Sequence, residues 1–178
     1  MAGAVIGQYG RVGESDGSMR IRTARADDAA GLAELDAAAW SAESGFPSIT
    51  QRIPGPFFAS DNPPVDHLVC EIDGTVVGYL RLRPATSLPE NAHVIGIFGL
   101  AVAPAARRLG AASALLAAAE QRARASGARK LSLRVLGTNQ PAIRLYARLG
   151  FEREGVLREE FLIDGGYVDD LLMTKHLT

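Results

Sequence analysis

The sequence predicts a mixed α/β domain, and three observations lead to it. Short apolar or alternating runs flank two tight-turn signals, Asp73-Gly74 and Asp164-Gly165-Gly166. A longer apolar run, residues 94–103, leads into Arg107-Arg108-Leu109-Gly110-Ala111-Ala112 and then an alanine-rich stretch of helical character. A further alternating run, residues 130–136, precedes a second helix that opens on Pro141. In chain order the elements read β-α-(α)-β-β-β-α-β-α-β-β. With 178 residues, the chain suits one domain with a substantial core.

Residues 1–18 are rich in glycine and small side chains and lack sustained periodicity, so a mobile tail is expected before a domain spanning 19–178. A first strand begins at residues 21–23. Asp27 and Asp28 then suit a helix start, and Leu32, Leu35 and Ala39 follow at helical spacing toward Trp40. Between Ser41 and Pro64 the character changes. Pro47, Pro54, Pro56, Pro63 and Pro64 fall there among Phe46, Phe57 and Phe58, which forbids one long helix but admits a short one near 48–52. Residues 67–72 and 76–82 flank Asp73-Gly74 as a hairpin. Leu131, Leu133 and Val135 share one face of the strand at 130–136. Residues 155–163 and 167–177 form the second hairpin.

The strand-to-helix junction at Arg107–Ala112 has the physics of an anion site. The first turn of a helix points unpaired N–H groups outward, and the helix dipole adds positive potential at the same place. Gly110 permits close approach of a ligand, while Ala111 and Ala112 keep side chains away. Two familiar phosphate patterns do not fit. G-x-x-x-x-G-K-[ST] requires a lysine where Ala111 stands, and G-x-G-x-x-G is missing from this junction. The pattern [QR]-x-x-G-x-[GA] does fit, through Arg107, Gly110 and Ala112. Further along, Asn139-Gln140-Pro141-Ala142-Ile143-Arg144-Leu145-Tyr146-Ala147-Arg148-Leu149-Gly150-Phe151 matches N-x-x-A-x-x-L-Y-x-x-x-G-F at every specified position. On these two elements the chain resembles the GNAT (Gcn5-related N-acetyltransferase) superfamily, most specifically over residues 97–151.

The resemblance implies a twisted, mostly antiparallel sheet whose fourth and fifth strands, around residues 95–102 and 130–136, run parallel and splay apart. Acetyl-CoA would enter that wedge as cosubstrate, with no metal. Its pyrophosphate would rest on Arg107, Arg108, Leu109, Gly110, Ala111, Ala112 and Ser113. Leu100, Ala101 and Val102 would hold the pantetheine arm and polarise the thioester carbonyl through backbone groups. Asn139 would both cap its helix and touch the cofactor. Tyr146 would be the general acid for the departing thiolate, since a phenol holds its proton at neutral pH. The base is open. Many relatives carry a glutamate on the fourth strand, whereas this chain has Ile97, Phe98, Gly99 and Leu100 there; His93 and Glu43 are the tentative candidates. Arg108 also departs from the pattern, because a glycine commonly follows the arginine of this turn. The reaction implied is direct acetyl transfer to a primary amine of a small molecule, such as an amino acid, a polyamine or an antibiotic-like amine. The rival readings are a protein or peptide N-terminal acetyltransferase and a non-catalytic acyl-CoA-binding sensor.

Composition narrows the remaining classes. Nineteen Lys and Arg stand against 20 Asp and Glu, a net charge of −1, and no basic tract alternates with aromatics, so nucleic acid is not expected as a partner. Arg122, Arg124, Arg129 and Lys130 read as a solvated helix end. One cysteine rules out an internal disulfide framework; Cys70, on one strand face with Leu68 and Ile72, is expected to be a buried, inert thiol. Three scattered histidines and no Cys/Glu cluster give no metal-ligand spacing. No apolar run is long enough to span a bilayer, and no basic segment followed by an apolar one opens the chain. A cytoplasmic enzyme without a membrane partner is expected, and a homodimer stays open.

Overall fold

The chain runs β1 (Met19–Thr23), α1 (Ala29–Ala39), β2 (His67–Ile72), β3 (Thr75–Pro84), β4 (Val94–Val102), α2 (Ala111–Ala125), β5 (Lys130–Leu136), α3 (Gln140–Arg148), β6 (Glu152–Ile163) and β7 (Gly166–His176). This computed structural model describes residues 18–39, 46 and 55–177. The expectations placed on the first 17 residues, on Trp40 and Glu43, and on a short helix near 48–52 lie outside the described residues.

The strands form one seven-stranded sheet in the order β1-β2-β3-β4-β5-β7-β6. Both hairpin signals do what their residue types require. Asp73 and Gly74 have φ of 51° and 77°, and Asp164 and Gly165 have 50° and 80°. Positive φ at both central residues gives the turn whose twist matches a hairpin. Every pairing is antiparallel except β4 with β5, which are joined by the α2 crossover. That parallel pairing is short. It runs from Val94 opposite Lys130 to Ile97 opposite Leu133 and stops. Beyond it, β4 is bonded to β3 and β5 to β7, and the two strands part.

A bulge sits where they part. Arg81 lies opposite Gly99 and Leu82 opposite Ile97, so Phe98 is an extra residue in β4. An extra residue bends its strand and sharpens the local twist, which turns β4 away from β5.

Strand alternation sends two different sets of side chains to the two faces. Leu80, Leu82, Ile97, Leu131, Leu133, Val135, Leu171 and Met173 pack with Leu115, Leu116 and Ala119 of α2 and with Tyr146 of α3. On the opposite face, Val69, Tyr79 and Ala101 pack beneath Leu32, Leu35 and Ala39 of α1. Burial of side chains such as Leu80, Leu115 and Leu131, each fully covered, stabilises the fold by about 1.5–3 kcal/mol apiece. Cys70 is fully buried in the first cluster, and burial pushes its thiol up.

The proline-rich segment contributes to the second cluster. Phe57 lies 5.2 Å from the Tyr79 ring and 5.4 Å from His67, and Phe58 lies 5.1 Å from Phe57. The Tyr79 hydroxyl donates to Asp36 of α1. His67 is 1% exposed; its Nδ1 donates to the Pro63 carbonyl at 3.0 Å, and burial lowers its pKa. These aromatics are packing residues under α1.

Candidate active site

Both parallel strands end at the opening, and each runs into a helix whose N-terminus faces it. After β4, a 3-10 turn (Pro104–Ala106) leads to Arg107, Arg108 and Leu109 and then to α2. Gly110 is the N-cap, with φ of 90° and no side-chain cap bond, so no side chain covers the first-turn donors of Ala111, Ala112 and Ser113. Among the described residues other than its chain neighbours and its own helix backbone, no heavy atom lies within 4 Å of where a Gly110 Cβ would stand. The local backbone leaves room for a bulky anion over the helix end.

The two arginines of the turn differ in their local structure. The Arg107 Nη2 donates to the Ala39 carbonyl at 3.0 Å, tying the turn to the end of α1. Arg108 adopts φ of 65°, the left-handed region that favours glycine. This explains the departure noted in the sequence: the backbone keeps a conformation natural to glycine and carries an arginine there at a cost of about 1–2 kcal/mol. Leu109 is 59% exposed beside it.

After β5, Asn139 caps α3. Its Oδ1 accepts from the Ala142 N–H at 3.2 Å, so the capping half of its expected role is present. The helix closes with the Phe151 N–H on the Tyr146 carbonyl and the Gly150 N–H on the Ala147 carbonyl, both at 3.0 Å. Gly150 takes φ of 84° to allow that closure. This short, doubly fixed helix points Tyr146 inward, 8% exposed, with its ring 5.8 Å from Phe151. Burial pushes the phenol up to about 12. Among the described residues its hydroxyl has no hydrogen-bond partner.

Leu100, Ala101 and Val102 lie on the stretch of β4 that pairs with β3 alone, opposite Leu80, Tyr79 and Gly78. Their free edge faces the opening. Turn, β4 edge, Asn139 and Tyr146 are thus brought to one end of the sheet. His93 is not. It precedes Val94 at the closed end of the β4–β5 pair, where its carbonyl accepts from the Arg129 N–H at 2.8 Å. Glu43 lies outside the described residues.

The side chains at the mouth of the opening went unrecognised in the sequence. Phe98 is 47% exposed, and the Arg83 guanidinium lies 4.4 Å above its ring. Arg134 of β5 pairs with Asp170 of β7 and, at 2.8 Å, with Glu160 of β6. Phe46 meets Phe161 of β6 edge-on at 4.7 Å. A charged Asp170 within the apolar run of β7 was the one available signal, because a buried carboxylate requires a partner.

Comparison with known proteins bears on the family and the fold. The model of the acetyltransferase (GNAT) family matches residues 30–151. The chain belongs to that family. It is therefore an acyltransferase, and the predicted fold class stands. The L-amino acid N-acetyltransferase AaaT of Escherichia coli is 35% identical over 117 residues, 65% of this chain and 71% of the relative. An N-alpha-acetyltransferase of Sulfurisphaera tokodaii is 37% identical over 103 residues, covering 52% of this chain and 60% of its own length. The structure of yncA, a putative acetyltransferase from Salmonella typhimurium with its cofactor acetyl-CoA, superposes with a TM-score of 0.73 at 21% identity. It covers 90% of this chain and 95% of that one. Among the described residues no helix is long and apolar enough to cross a membrane, and no three His, Cys, Asp or Glu side chains group as metal ligands.

Proposed function

We propose that the protein transfers the acetyl group of acetyl-CoA directly to a primary amine of a small molecule, at the β4–β5 opening. The observation that carries this is the parting of β4 and β5 after Ile97 and Leu133, with two helix N-termini and the inward Tyr146 at the same end. The pyrophosphate rests on the first-turn N–H groups of α2, and Arg108 adds charge at the rim. The pantetheine arm takes the place of a strand along Leu100, Ala101 and Val102. A backbone N–H there polarises the thioester carbonyl, a term of large effect in acyl transfer.

The amine nitrogen attacks the thioester carbon, the C–N bond forms, the C–S bond breaks, and the amine's surplus proton leaves to water. Tyr146 donates its O–H to the departing sulfur. Magnitudes decide how far that proton moves. Burial pushes the phenol up to about 12, so it holds its proton more firmly than a thiol at its ordinary value of about 8.5 and complete transfer runs uphill. A hydrogen bond to a charged acceptor is worth about 1.5–3 kcal/mol. The phenol therefore acts chiefly as a donor to developing charge, and solvent completes the protonation.

His93 stands at the closed end of the strands, so deprotonation of the acceptor falls to water or to Glu43. An amine of pKa about 10 is free base only in small part at neutral pH, so kcat/KM rises about tenfold per pH unit until the amine titrates. The phenol stays protonated throughout that range and adds no falling limb. A coenzyme A release assay across amines, amino acids, polyamines, aminoglycosides and peptides tests the proposal. Turnover with a small amine is expected; turnover with peptides alone would overturn the acceptor assignment.

A further inference from the structure

The sheet face turned away from α2 carries Arg81, Arg83 and Arg134 near the opening, and their surroundings differ. Leu80 and Leu82 point into the α2 core, so Arg81 and Arg83 point the other way; Arg134 does so between Leu133 and Val135. Arg134 is engaged by Asp170 and Glu160. The Arg81 guanidinium donates to the Asp61 carbonyl and lies 3.9 Å from Asp66. Arg83 has no carboxylate and no hydrogen-bond partner among the described residues. Its guanidinium carbon lies over the Phe98 ring, 4.4 Å from the centroid.

We propose that Arg83 is the acceptor's carboxylate anchor, and that the preferred acceptors are amines bearing a neighbouring carboxylate, amino acids above all. The proposal rests on the acetyl-transfer reading above and names the substrate class of that same site. The cofactor approaches from the side of α2 and α3, so the amine arrives on the opposite face, where Arg83 waits. Phe98 is the extra residue of the bulge at which β4 leaves β5. Arg83 lies opposite Gly96, two residues before Phe98, a distance along the strand of about 7 Å. The guanidinium reaches the Phe98 ring and so stands at the bulge where the strands part.

The local sequence is shaped for this arrangement. A Cβ on Gly96 would stand 2.5 Å from the Phe98 ring, so only glycine lets the ring lie down over the strand. Gly99, and Ser132 opposite Gly96, keep the floor beside it low. A ring behind a guanidinium leaves its N–H edge free, and that planar fork matches a carboxylate through two parallel bonds. Across the opening, two carboxylates on one arginine leave the Arg134, Glu160 and Asp170 group formally negative. A zwitterionic acceptor finds a cation toward β3 and net negative charge toward β7.

The test uses matched acceptor pairs, an L-amino acid and the same amine without its carboxylate, such as phenylalanine with phenethylamine and leucine with isoamylamine. Steady-state constants are measured for the wild type, Arg83→Gln and Arg83→Lys. The effect of substitution on each acceptor is compared with itself, which cancels differences in amine pKa. Arg83→Gln is expected to raise KM for the amino acids about tenfold or more, as loss of a charge-assisted bidentate contact does. KM for the plain amines and for acetyl-CoA should stay within twofold, and Arg83→Lys should restore part of the loss. Equal loss on both members of each pair, or a raised acetyl-CoA KM, would overturn the anchor while leaving the acetyl-transfer reading in place. So would a wild type that prefers the plain amines. A protein that acetylates neither member of any pair would overturn both.

Discussion

On the helix side of the β4–β5 opening, the groups proposed to face the cofactor are backbone donors from one stretch of chain, Gly110 to Ser113, joined by Tyr146 on a helix fixed at both ends. On the other side, the groups proposed to face the acceptor are side chains from β3, β4, β5, β6 and β7: the Arg83–Phe98 pair and the Arg134, Glu160 and Asp170 group. The first is made by local conformation, and a six-residue pattern contains it. The second is made by strand register, and no local pattern contains it. A site of the first kind tolerates changes of side chain and fails when its backbone is blocked. A site of the second kind fails by single side chains and selectively.

The largest effect expected from this contrast is at Gly110. Gly110→Glu places a negative side chain where the pyrophosphate is proposed to rest. Open space around the Cβ position lets the variant fold, at a cost of about 1–2 kcal/mol for a non-glycine residue in the left-handed region. Calorimetry should find acetyl-CoA binding abolished, and unchanged affinity in the folded variant would remove the turn from the site.

Next comes Tyr146→Phe, which keeps the ring and removes one O–H. Loss of a hydrogen bond to charge worth about 1.5–3 kcal/mol corresponds to roughly 10–100-fold in rate. Single-turnover kinetics should show that loss with acetyl-CoA affinity little changed, since slow product release can hide it in steady state. A wild-type single-turnover rate would reduce Tyr146 to a packing residue.

Phe57→Ala separates packing from selectivity within the proline-rich segment. Phe57 lies against Tyr79 and His67, so the variant should lose about 2 kcal/mol or more in urea unfolding, with acceptor KM little changed. A changed acceptor KM at full stability would place Phe57 at the acceptor site instead.

The smallest effect is expected at Arg108. Glycine relieves the left-handed strain but adds freedom to the unfolded chain, leaving a gain of about 0.5–1 kcal/mol. Thermal unfolding should show a slightly raised Tm together with weaker acetyl-CoA affinity. A lowered Tm would mean that the arginine makes a contact worth more than the strain.

The same contrast explains what could be read from the sequence. Alternation at Leu131, Leu133 and Val135 placed β5, and the two Asp-Gly turns placed both hairpins. The Asn139–Phe151 run placed a helix with its cap, its closing glycine and its inward tyrosine. All of these depend on contacts within a few residues. The family pattern supplied the splay, which periodicity does not encode. The bulge at Phe98 was missed because it exists only in the register of β4 against β3. His93 looked suitable because it stands next to β4 in sequence, yet the strand carries it to the closed end. Phe57 and Phe58 pack against the cluster under α1, a contact with distant residues that the proline-rich composition does not encode. Arg83 and Phe98 are fifteen positions apart and meet across two strands, which no spacing rule anticipates.

The central claim is that acetyl-CoA occupies the β4–β5 opening, lying along the unpaired edge of β4 with its pyrophosphate on α2. Amide hydrogen exchange followed residue by residue, with and without acetyl-CoA, tests it most directly. The expected result is slowed exchange at Gly99 to Val102 and at Ala111 to Ser113, with β1 and β2 unchanged. Protection confined to other strands, or none at saturating acetyl-CoA, would contradict it.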